Sequence, residues 1–533
     1  MPLDQLMEKL KHTLSPTQWV SFFSCFISGY LIHLFAFTNL IPNSDGLSRV
    51  FDYQQMTVSG RWFLHYASSL NGFTQMPALI GFLTMLLLSC AAVVVVTILE
   101  LRGRTLSSFV GIVLAASPCL GYTFLYMFTA SAYSLSILLA ALAVLAVKQG
   151  RFWWLLGSVS LAFSMGIYQA YAAFAISLSL LAVLVECMDP RSSFSSTLRL
   201  GLRLLGMLAL GAALYYLMLQ VFLSVKNLEL LDYLGMSETS GGYPIAQLPN
   251  LILDTYKQVV VYFFLPNHSN PFTTLFFVIL NGLMVLFAAV CLVMLVIKRT
   301  LYRDIWRICG ILVMVALLPL GMGFAQIISP FSTATPIMKY AYVCAYLAAL
   351  LMVNCGLSLL PRPKCTVALS GSLVIVMVCL TVYQANINNL LYTASAQAHR
   401  ATLSYATRLL SRIESCEGYT GEEEILIIGS FPTDRIYSDI ESYALVDHYS
   451  LPMDTVAPLN KHIYYYLNDW LNVPIEEPDE ETMIAMSQSK EFQKMPLYPA
   501  QGSVAKVDGK IVVKIQEEYT PKSDYELAYE KRR

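Results

Sequence analysis

The chain has 533 residues, of which 56% are hydrophobic and 13% charged, with a net charge of −1 and a mean hydropathy of +0.58. Soluble domains carry about 25% charged residues, so this composition excludes an ordinary soluble globular protein. Apolar runs of bilayer-spanning length recur up to about Gln384 and then stop. The composition therefore predicts a polytopic all-α membrane protein followed by a polar tail, with no nucleic-acid partner.

The apolar runs predict about eleven transmembrane helices. We do not expect the first run to be a cleaved signal peptide, because it is too long, lacks a small-residue cleavage site and precedes further spans. The predicted limits are 18–41, 77–100, 105–121, 131–147, 152–166, 169–187, 200–223, 272–297, 306–328, 338–360 and 366–386.

Basic residues predict the orientation of these spans. With the N-terminus in the cytoplasm, 15 Lys and Arg residues fall in cytoplasmic segments, as the positive-inside rule requires. An odd number of spans then places the tail outside. Only five basic residues fall in the outer loops that precede the tail: Arg49, Arg61, Lys226, Lys257 and Lys339.

The sequence divides into a multi-span domain, residues 1–386, and an extracytoplasmic soluble domain, residues 387–533. The first carries 20 basic and 12 acidic residues, and the second carries 14 and 23. Within the tail, 396–415 predicts an amphipathic helix and EILIIGS (424–430) a buried strand. VAKVDGKIVVKI (504–515) predicts a hairpin that turns at Asp508-Gly509. A small α/β domain fits this pattern.

The first outer loop, NSDGLSRVFDYQQMTVSGRW (43–62), carries two acids and two arginines directly after the first span. A carboxylate near apolar surface has a raised pKa and can act as a general base, so Asp45 and, seven residues later, Asp52 are the catalytic candidates. The alternative is that Asp45 caps a short interfacial helix, because NSDG is also a good N-cap sequence.

Other polar and aromatic side chains are expected at the same membrane level. Arg49 and Arg61 are candidate phosphate ligands, or interfacial arginines that snorkel to the headgroups. Trp62 is either an interfacial belt residue or a sugar-stacking surface. The remaining candidates are Tyr168 and Gln169 of GIYQAY (166–171), His268 at the mouth of a span, and Lys339 at the start of the tenth. His268 can also be a solvated polar residue, and Lys339 a snorkelling one.

Nucleotide and metal motifs are missing from the sequence. Ten of the eleven cysteines precede residue 387, and no CxxC pair or metal-spaced Cys/His group occurs. We also find no Walker loop, GxGxxG or GxSxG. We therefore expect no cofactor and no metal, and chemistry at the outer face on a substrate other than a soluble nucleotide.

Residues 18–386 resemble the bacterial serotype-converting, Gtr-type glucosyltransferases, polytopic enzymes of the GT-C class. The acid in the first outer loop, SGRWF (59–63) and GIYQAY carry this resemblance. It implies a GT-C-like fold in a bacterial inner membrane and a hexose donor attached to polyprenyl monophosphate. It also implies that Asp45 is the general base, that Arg61 binds the donor phosphate and, more loosely, that Lys339 does so too.

The mechanism expected from the resemblance is one in-line, inverting displacement, with lipid phosphate as the leaving group. The expected partners are the lipid-linked hexose, a surface polysaccharide or teichoic-acid-type acceptor, membrane lipid, a donor synthase and a small flippase. Three alternatives stay open on the residues alone. They are a lipid-linked-sugar flippase or transporter, a polymerase or ligase that uses lipid diphosphate donors, and a non-catalytic scaffold that displays the tail.

Overall fold

Two compact units make up the chain. The first comprises Met1–Thr38 and Tyr53–Asn389, and the second comprises Asn39–Asp52 and Leu390–Arg533. The second unit thus takes in the acidic part of the first outer loop, which the sequence analysis placed with the spans. The computed structural model describes residues 13–47, 51–150, 152–230, 245–265, 274–329, 334–357, 359, 363–431 and 456–521.

The first unit is a helical bundle. Among the described residues, ten helices are long and apolar enough to cross a membrane, and Trp153–Ile167 is a shorter apolar helix. The prediction of a polytopic all-α membrane protein is confirmed. The α-helices are α1 (Pro16–Thr38), α2 (Leu64–Ser68), α3 (Pro77–Ile98), α4 (Arg104–Ala116), α5 (Pro118–Leu125), α6 (Met127–Gln149), α7 (Trp153–Ile167), α8 (Ala172–Met188), α9 (Phe194–Lys226), α10 (Leu248–Phe264), α11 (Leu275–Lys298), α12 (Ile305–Met322), α13 (Phe324–Ile328), α14 (Val343–Leu357) and α15 (Pro363–Glu414).

One helix of this bundle was not predicted. The apolar runs predict a loop over 225–271, whereas α10 occupies Leu248–Phe264 within that stretch. Asp254 and Lys257 interrupt its apolar run, so the segment does not read as a span. Its buried residues nevertheless recur at the three- and four-residue spacing of one helix face: Leu251, Thr255, Val259, Tyr262 and Phe263.

Glycines bring neighbouring helices close together in the bundle. A Cβ at Gly111 of α4 would lie 2.8 Å from the Cys25 amide nitrogen of α1. A Cβ at Gly157 of α7 would lie 2.6 Å from the Ala143 carbonyl oxygen of α6. Small residues allow such backbone approach between membrane helices, where van der Waals packing drives association.

Helix α9 has a narrow buried stripe and a wide apolar exposed face. A reciprocal Ser193–Ser196 capping box begins it, and Asn227 in the left-handed conformation (φ 51°) ends it. Its buried stripe includes Tyr215, Leu219 and Leu223, whereas Leu202 and Leu217 are about 60% exposed. Such a face suits lipid contact, and the stripe continues to Leu223 near the C-terminal end of the helix.

The second unit contains a three-stranded sheet with strand order β1-β3-β2. Strands β2 (Val504–Val507) and β3 (Lys510–Lys514) form the predicted hairpin, with positive φ at Asp508 (48°) and Gly509 (81°), as a type I′ turn requires. Strand β1 (Ile425–Ile428) is fully buried and pairs with β3 in parallel. These strands confirm the expected α/β character of the tail.

The amphipathic helix predicted over 396–415 is the last part of α15, which continues from the final span without a break. Its apolar face packs on the sheet through Ala406, Leu409 and Ile413. The described part of this unit also contains three short α-helices: α16 (Asn460–Tyr465), α17 (Glu480–Ser487) and α18 (Lys490–Lys494).

Candidate functional site

The SGRWF loop and the GIYQAY turn contact each other, although more than 100 residues separate them in the chain. The amide nitrogen Nε2 of Gln169 donates to the Ser59 carbonyl oxygen at 3.0 Å and to the Tyr215 hydroxyl oxygen at 3.0 Å. The Tyr215 hydroxyl in turn donates to the Gly60 carbonyl oxygen at 3.1 Å. The loop is therefore fixed to the end of α7 and to the buried stripe of α9.

Gly60 is required at the centre of this contact. Its φ of +80° lies in the left-handed region, which glycine adopts without steric penalty. A Cβ at this position would overlap the Gln169 amide nitrogen and would lie 2.7 Å from the Tyr215 hydroxyl oxygen. Both the backbone conformation and the space around it exclude larger side chains.

Arg61 is held by an aromatic ring of the second motif. Its guanidinium carbon lies 4.7 Å from the centroid of the Tyr168 ring, within the range of a cation–π interaction. Tyr168 stacks on Tyr133 of α6, with ring centroids 4.7 Å apart and an interplanar angle of 3°. The Tyr168 ring and its stacking partner therefore restrict where the Arg61 guanidinium can lie.

Trp62 is the buried aromatic residue of the SGRWF loop. Only 2% of its side chain is exposed, and it stacks on Phe222 of α9 with centroids 5.4 Å apart. Gly166 leaves room for the indole, since a Cβ there would lie 2.6 Å from it. The Phe63 amide donates to the Gly166 carbonyl oxygen at 2.8 Å. Trp62 is therefore not an interfacial belt residue, and it presents little surface to a sugar ring.

Lys226 is a cation of this region that the sequence analysis counted but did not assign to the site. It follows Phe222 by one helical turn at the end of α9, and it is exposed. Its ammonium nitrogen lies 3.4 Å from the hydroxyl oxygen of Thr57, two residues before the SGRWF loop. A signal existed in the sequence, because Lys226 is one of the few basic residues in the predicted outer loops.

Lys339 lies next to the far end of a tyrosine cluster, which consists of Tyr133, Tyr168, Tyr171 and Tyr340. The rings of Tyr168 and Tyr171 are 5.7 Å apart, and those of Tyr171 and Tyr340 are 6.1 Å apart. The Tyr340 hydroxyl donates to the Leu114 carbonyl oxygen at 3.0 Å. Lys339 is half-buried directly before Tyr340, so aromatic contacts link its segment to the ring that supports Arg61.

The acids of the first outer loop belong to the second unit. Asp45 is exposed in a 3₁₀ turn, Ser44–Gly46, and Asp52 is half-exposed. The alternative that Asp45 caps this turn is wrong. The cap is Asn43, whose side-chain oxygen accepts from the Gly46 amide at 2.7 Å.

Leu47 anchors the Asp45 segment. Its side chain is fully buried in the core of the second unit, which also contains Ile413 of α15, Ile427 of β1 and Ile511 of β3. Two further predicted site residues, Arg49 and His268, lie outside the described residues. The burial of Leu47 could not be predicted, since a single leucine in a polar loop has no periodicity.

A family model described as "Glucosyl transferase GtrII" matches residues 34–322, more than half of the chain. The chain belongs to the GtrII glucosyl transferase family. The resemblance predicted from its motifs is thereby confirmed. A comparison with curated proteins gave no match.

The GtrII match includes both contacting motifs, the first outer loop and Lys226, but it ends before Lys339 and most of the second unit. The most closely packed part of the candidate site thus lies inside the region that defines the family. Family membership makes the chain a membrane-embedded glycosyltransferase. It does not assign a donor, an acceptor or the role of any residue.

Proposed function

We propose that this chain transfers a hexose, glucose in view of its family, from a polyprenyl-monophosphate donor to a hydroxyl of a surface polysaccharide or teichoic-acid-type polymer. The observation that carries the proposal is the fixed position of Arg61 over Tyr168 in a GtrII chain. A guanidinium held in one orientation before substrate arrives loses little entropy on binding phosphate.

Arg61 binds the donor phosphate in this proposal, and Lys226 and Lys339 add positive charge. As the glycosidic bond breaks, negative charge grows on the departing phosphate oxygen. Fixed cations near that oxygen stabilise the transition state more than the ground state. A monophosphate leaving group with such partners needs no metal ion, and the donor needs no nucleotide.

Asp45 is the proposed general base, with Asp52 as the second candidate. The carboxylate takes the proton from the acceptor hydroxyl while the hydroxyl oxygen attacks the anomeric carbon. The bond between that carbon and the phosphate oxygen breaks on the opposite face, so the anomeric configuration inverts. The products are the glycosylated polymer, polyprenyl phosphate and a proton carried by Asp45.

The proposed location is the outer face of a bacterial cell membrane, with the N-terminus in the cytoplasm and the second unit outside. The uneven distribution of basic residues supports this orientation. A donor synthase and a small flippase would supply the lipid-linked hexose. The acidic second unit would orient the acceptor polymer.

The test uses the full chain reconstituted in vesicles, with radiolabelled polyprenyl phosphate–glucose as donor and acceptor polymer outside. We expect label in the polymer with inverted anomeric configuration, release of polyprenyl phosphate, and equal rates with and without EDTA. Movement of the labelled lipid between leaflets without transfer would instead establish a flippase. Transfer only from a diphosphate donor would establish a polymerase or ligase.

A further inference from the structure

A second polar region lies at the opposite end of helix α8 from the motif loops. Helix α8 begins beside the Gln169–Tyr171 turn and ends at Met188. Its 17 residues span about 25 Å at 1.5 Å per residue. A cavity of about 730 Å³ opens at the Met188 end. It is therefore separate from the candidate transferase site.

Four chain segments line this cavity, and each lies at the end of an apolar helix. They are the α3–α4 turn with Arg102, the α8–α9 turn with Asp189, the α11 end with Arg299, and the α14 end with Leu357. With the N-terminus in the cytoplasm, the predicted spans place all four ends, and the basic residues near them, on the cytoplasmic side. The cavity therefore lies where a bilayer has its headgroups.

The cavity wall combines cations with apolar side chains. Its two acids already have cationic partners. Arg191 pairs with Asp189 at 3.1 Å, and Lys148 pairs with Glu100 at 2.8 Å. Arg299 also lies within electrostatic range of Asp189 and donates to the Met188 carbonyl oxygen at 3.3 Å. With three arginines and two carboxylates, the wall nevertheless keeps a net positive charge. The remaining wall is largely apolar: Leu99, Val185, Met188, Leu351 and Leu357.

The α8–α9 turn is held rigid by a buried arginine behind it. Arg307 is only 3% exposed and donates to the carbonyl oxygens of Cys187 at 3.3 Å, of Asp189 at 2.6 Å and of Pro190 at 3.1 Å. It also donates to the Ser192 carbonyl oxygen. This wall of the cavity is preorganised, as expected of a binding site rather than of a gap between mobile loops.

We propose that this cavity binds the phosphate headgroup of an anionic membrane lipid. Arg102 and Arg299 are the phosphate ligands, and Met188 and Leu351 contact the apolar part of the lipid. Basic pockets between membrane helices bind such headgroups, and guanidinium groups match the geometry of phosphate. The apolar wall and the position at the helix ends favour a lipid over a soluble phosphate.

The test measures lipid affinity of the full chain in detergent micelles, by thermal stabilisation on addition of dioleoylphosphatidylglycerol, with dioleoylphosphatidylcholine and inorganic phosphate as comparisons. The cavity variant is R102Q/R299Q. The matched control is R104Q/R303Q, which removes the same charge from the same ends of helices at exposed positions that do not line the cavity.

We expect phosphatidylglycerol alone to stabilise the parent and the control, and its affinity to fall at least about tenfold in the cavity variant. R102K/R299K keeps the charge without the guanidinium fork, so its affinity should be intermediate; this variant also serves if the Gln pair does not fold. Equal affinity of the cavity and control variants would overturn the proposal. Equal stabilisation by inorganic phosphate would overturn its lipid part.

Discussion

The Arg61 guanidinium carbon lies 4.7 Å from the Tyr168 ring centroid, and this contact joins the SGRWF loop to the GIYQAY turn. The Tyr168 ring is itself stacked on Tyr133, so the ring that contacts the Arg61 guanidinium is held in place by α6. The arrangement makes Tyr168 a positioning residue for Arg61. It therefore predicts effects on donor binding for substitutions on both sides of the contact.

Loss of the Tyr168 ring should weaken donor use without removing a charge. Tyr168→Leu should lower kcat/KM about 2- to 30-fold, the range of a cation–π contact of about 0.5–2 kcal/mol, whereas Tyr168→Phe should retain most of the activity. Arg61→Ala should be more damaging than Arg61→Lys, which keeps a single charge but loses the fork. Steady-state kinetics with the lipid donor measures all four variants. If all four variants had the kinetics of the parent, Arg61 would be only an interfacial residue that snorkels to the headgroups.

Gly60 should tolerate alanine much less well than Gly72. Both glycines have positive φ, 80° and 63°, but a Cβ at Gly72 would meet nothing within 4 Å. Gly72→Ala should therefore show only the backbone penalty, about 1–2 kcal/mol. Gly60→Ala should add a clash with Gln169 and lose transfer activity. Thermal unfolding and transfer assays compare the pair, and equal losses in both variants would argue against the packed loop contact.

Lys226 should contribute to donor attraction although sequence reasoning did not select it. Lys226→Ala should raise the KM for the lipid donor several-fold, and the effect should shrink at high salt because the side chain is exposed. Lys257→Ala is the control, since Lys257 is an exposed lysine of α10 in the same predicted outer loop. A salt-independent effect, or equal effects of the two substitutions, would exclude the proposed role.

Much of the fold follows from the sequence alone, for physical reasons. Long apolar runs located the spans because each helix must satisfy its own backbone in lipid. Alternation and an Asp-Gly turn located the β2–β3 hairpin. Helix α10 was not predicted because Asp254 and Lys257 interrupt its apolar run. Its buried face is defined only by its contacts with neighbouring helices.

The candidate site was predictable in its parts but not in its assembly. Both motifs could be identified in the sequence. No feature of either motif, however, indicates that Gln169 donates a hydrogen bond to the Ser59 carbonyl oxygen. The cap is Asn43, two residues before Asp45, and the sequence could not separate the two because Asn and Asp both favour N-caps. Trp62 could not be recognised as buried, since aromatic residues near a span end are also typical of the interface.

Leu47 should connect the stability of the second unit to transfer. Leu47→Ala removes a fully buried side chain and should lower the free energy of unfolding by about 2–5 kcal/mol. It should also lower kcat, because Asp45 lies two residues away. Leu403→Ala, at a position of α15 that is 41% exposed, should change stability by about 0.5 kcal/mol or less. Chemical denaturation of the full chain measures both, and similar losses would contradict the anchoring role.

The transfer rate of Asp45→Asn tests the central claim most directly. Asn matches Asp in size but cannot accept the proton, and the turn keeps its cap because Asn43 supplies it. We expect kcat to fall about 10²–10⁴-fold, with unchanged thermal unfolding and unchanged donor binding. Asp52→Asn, which removes the same charge from the same loop, should remain near the parent. Full activity in Asp45→Asn would contradict the account: with an inactive Asp52→Asn the base would be Asp52, and with both variants active the proposed mechanism would be wrong.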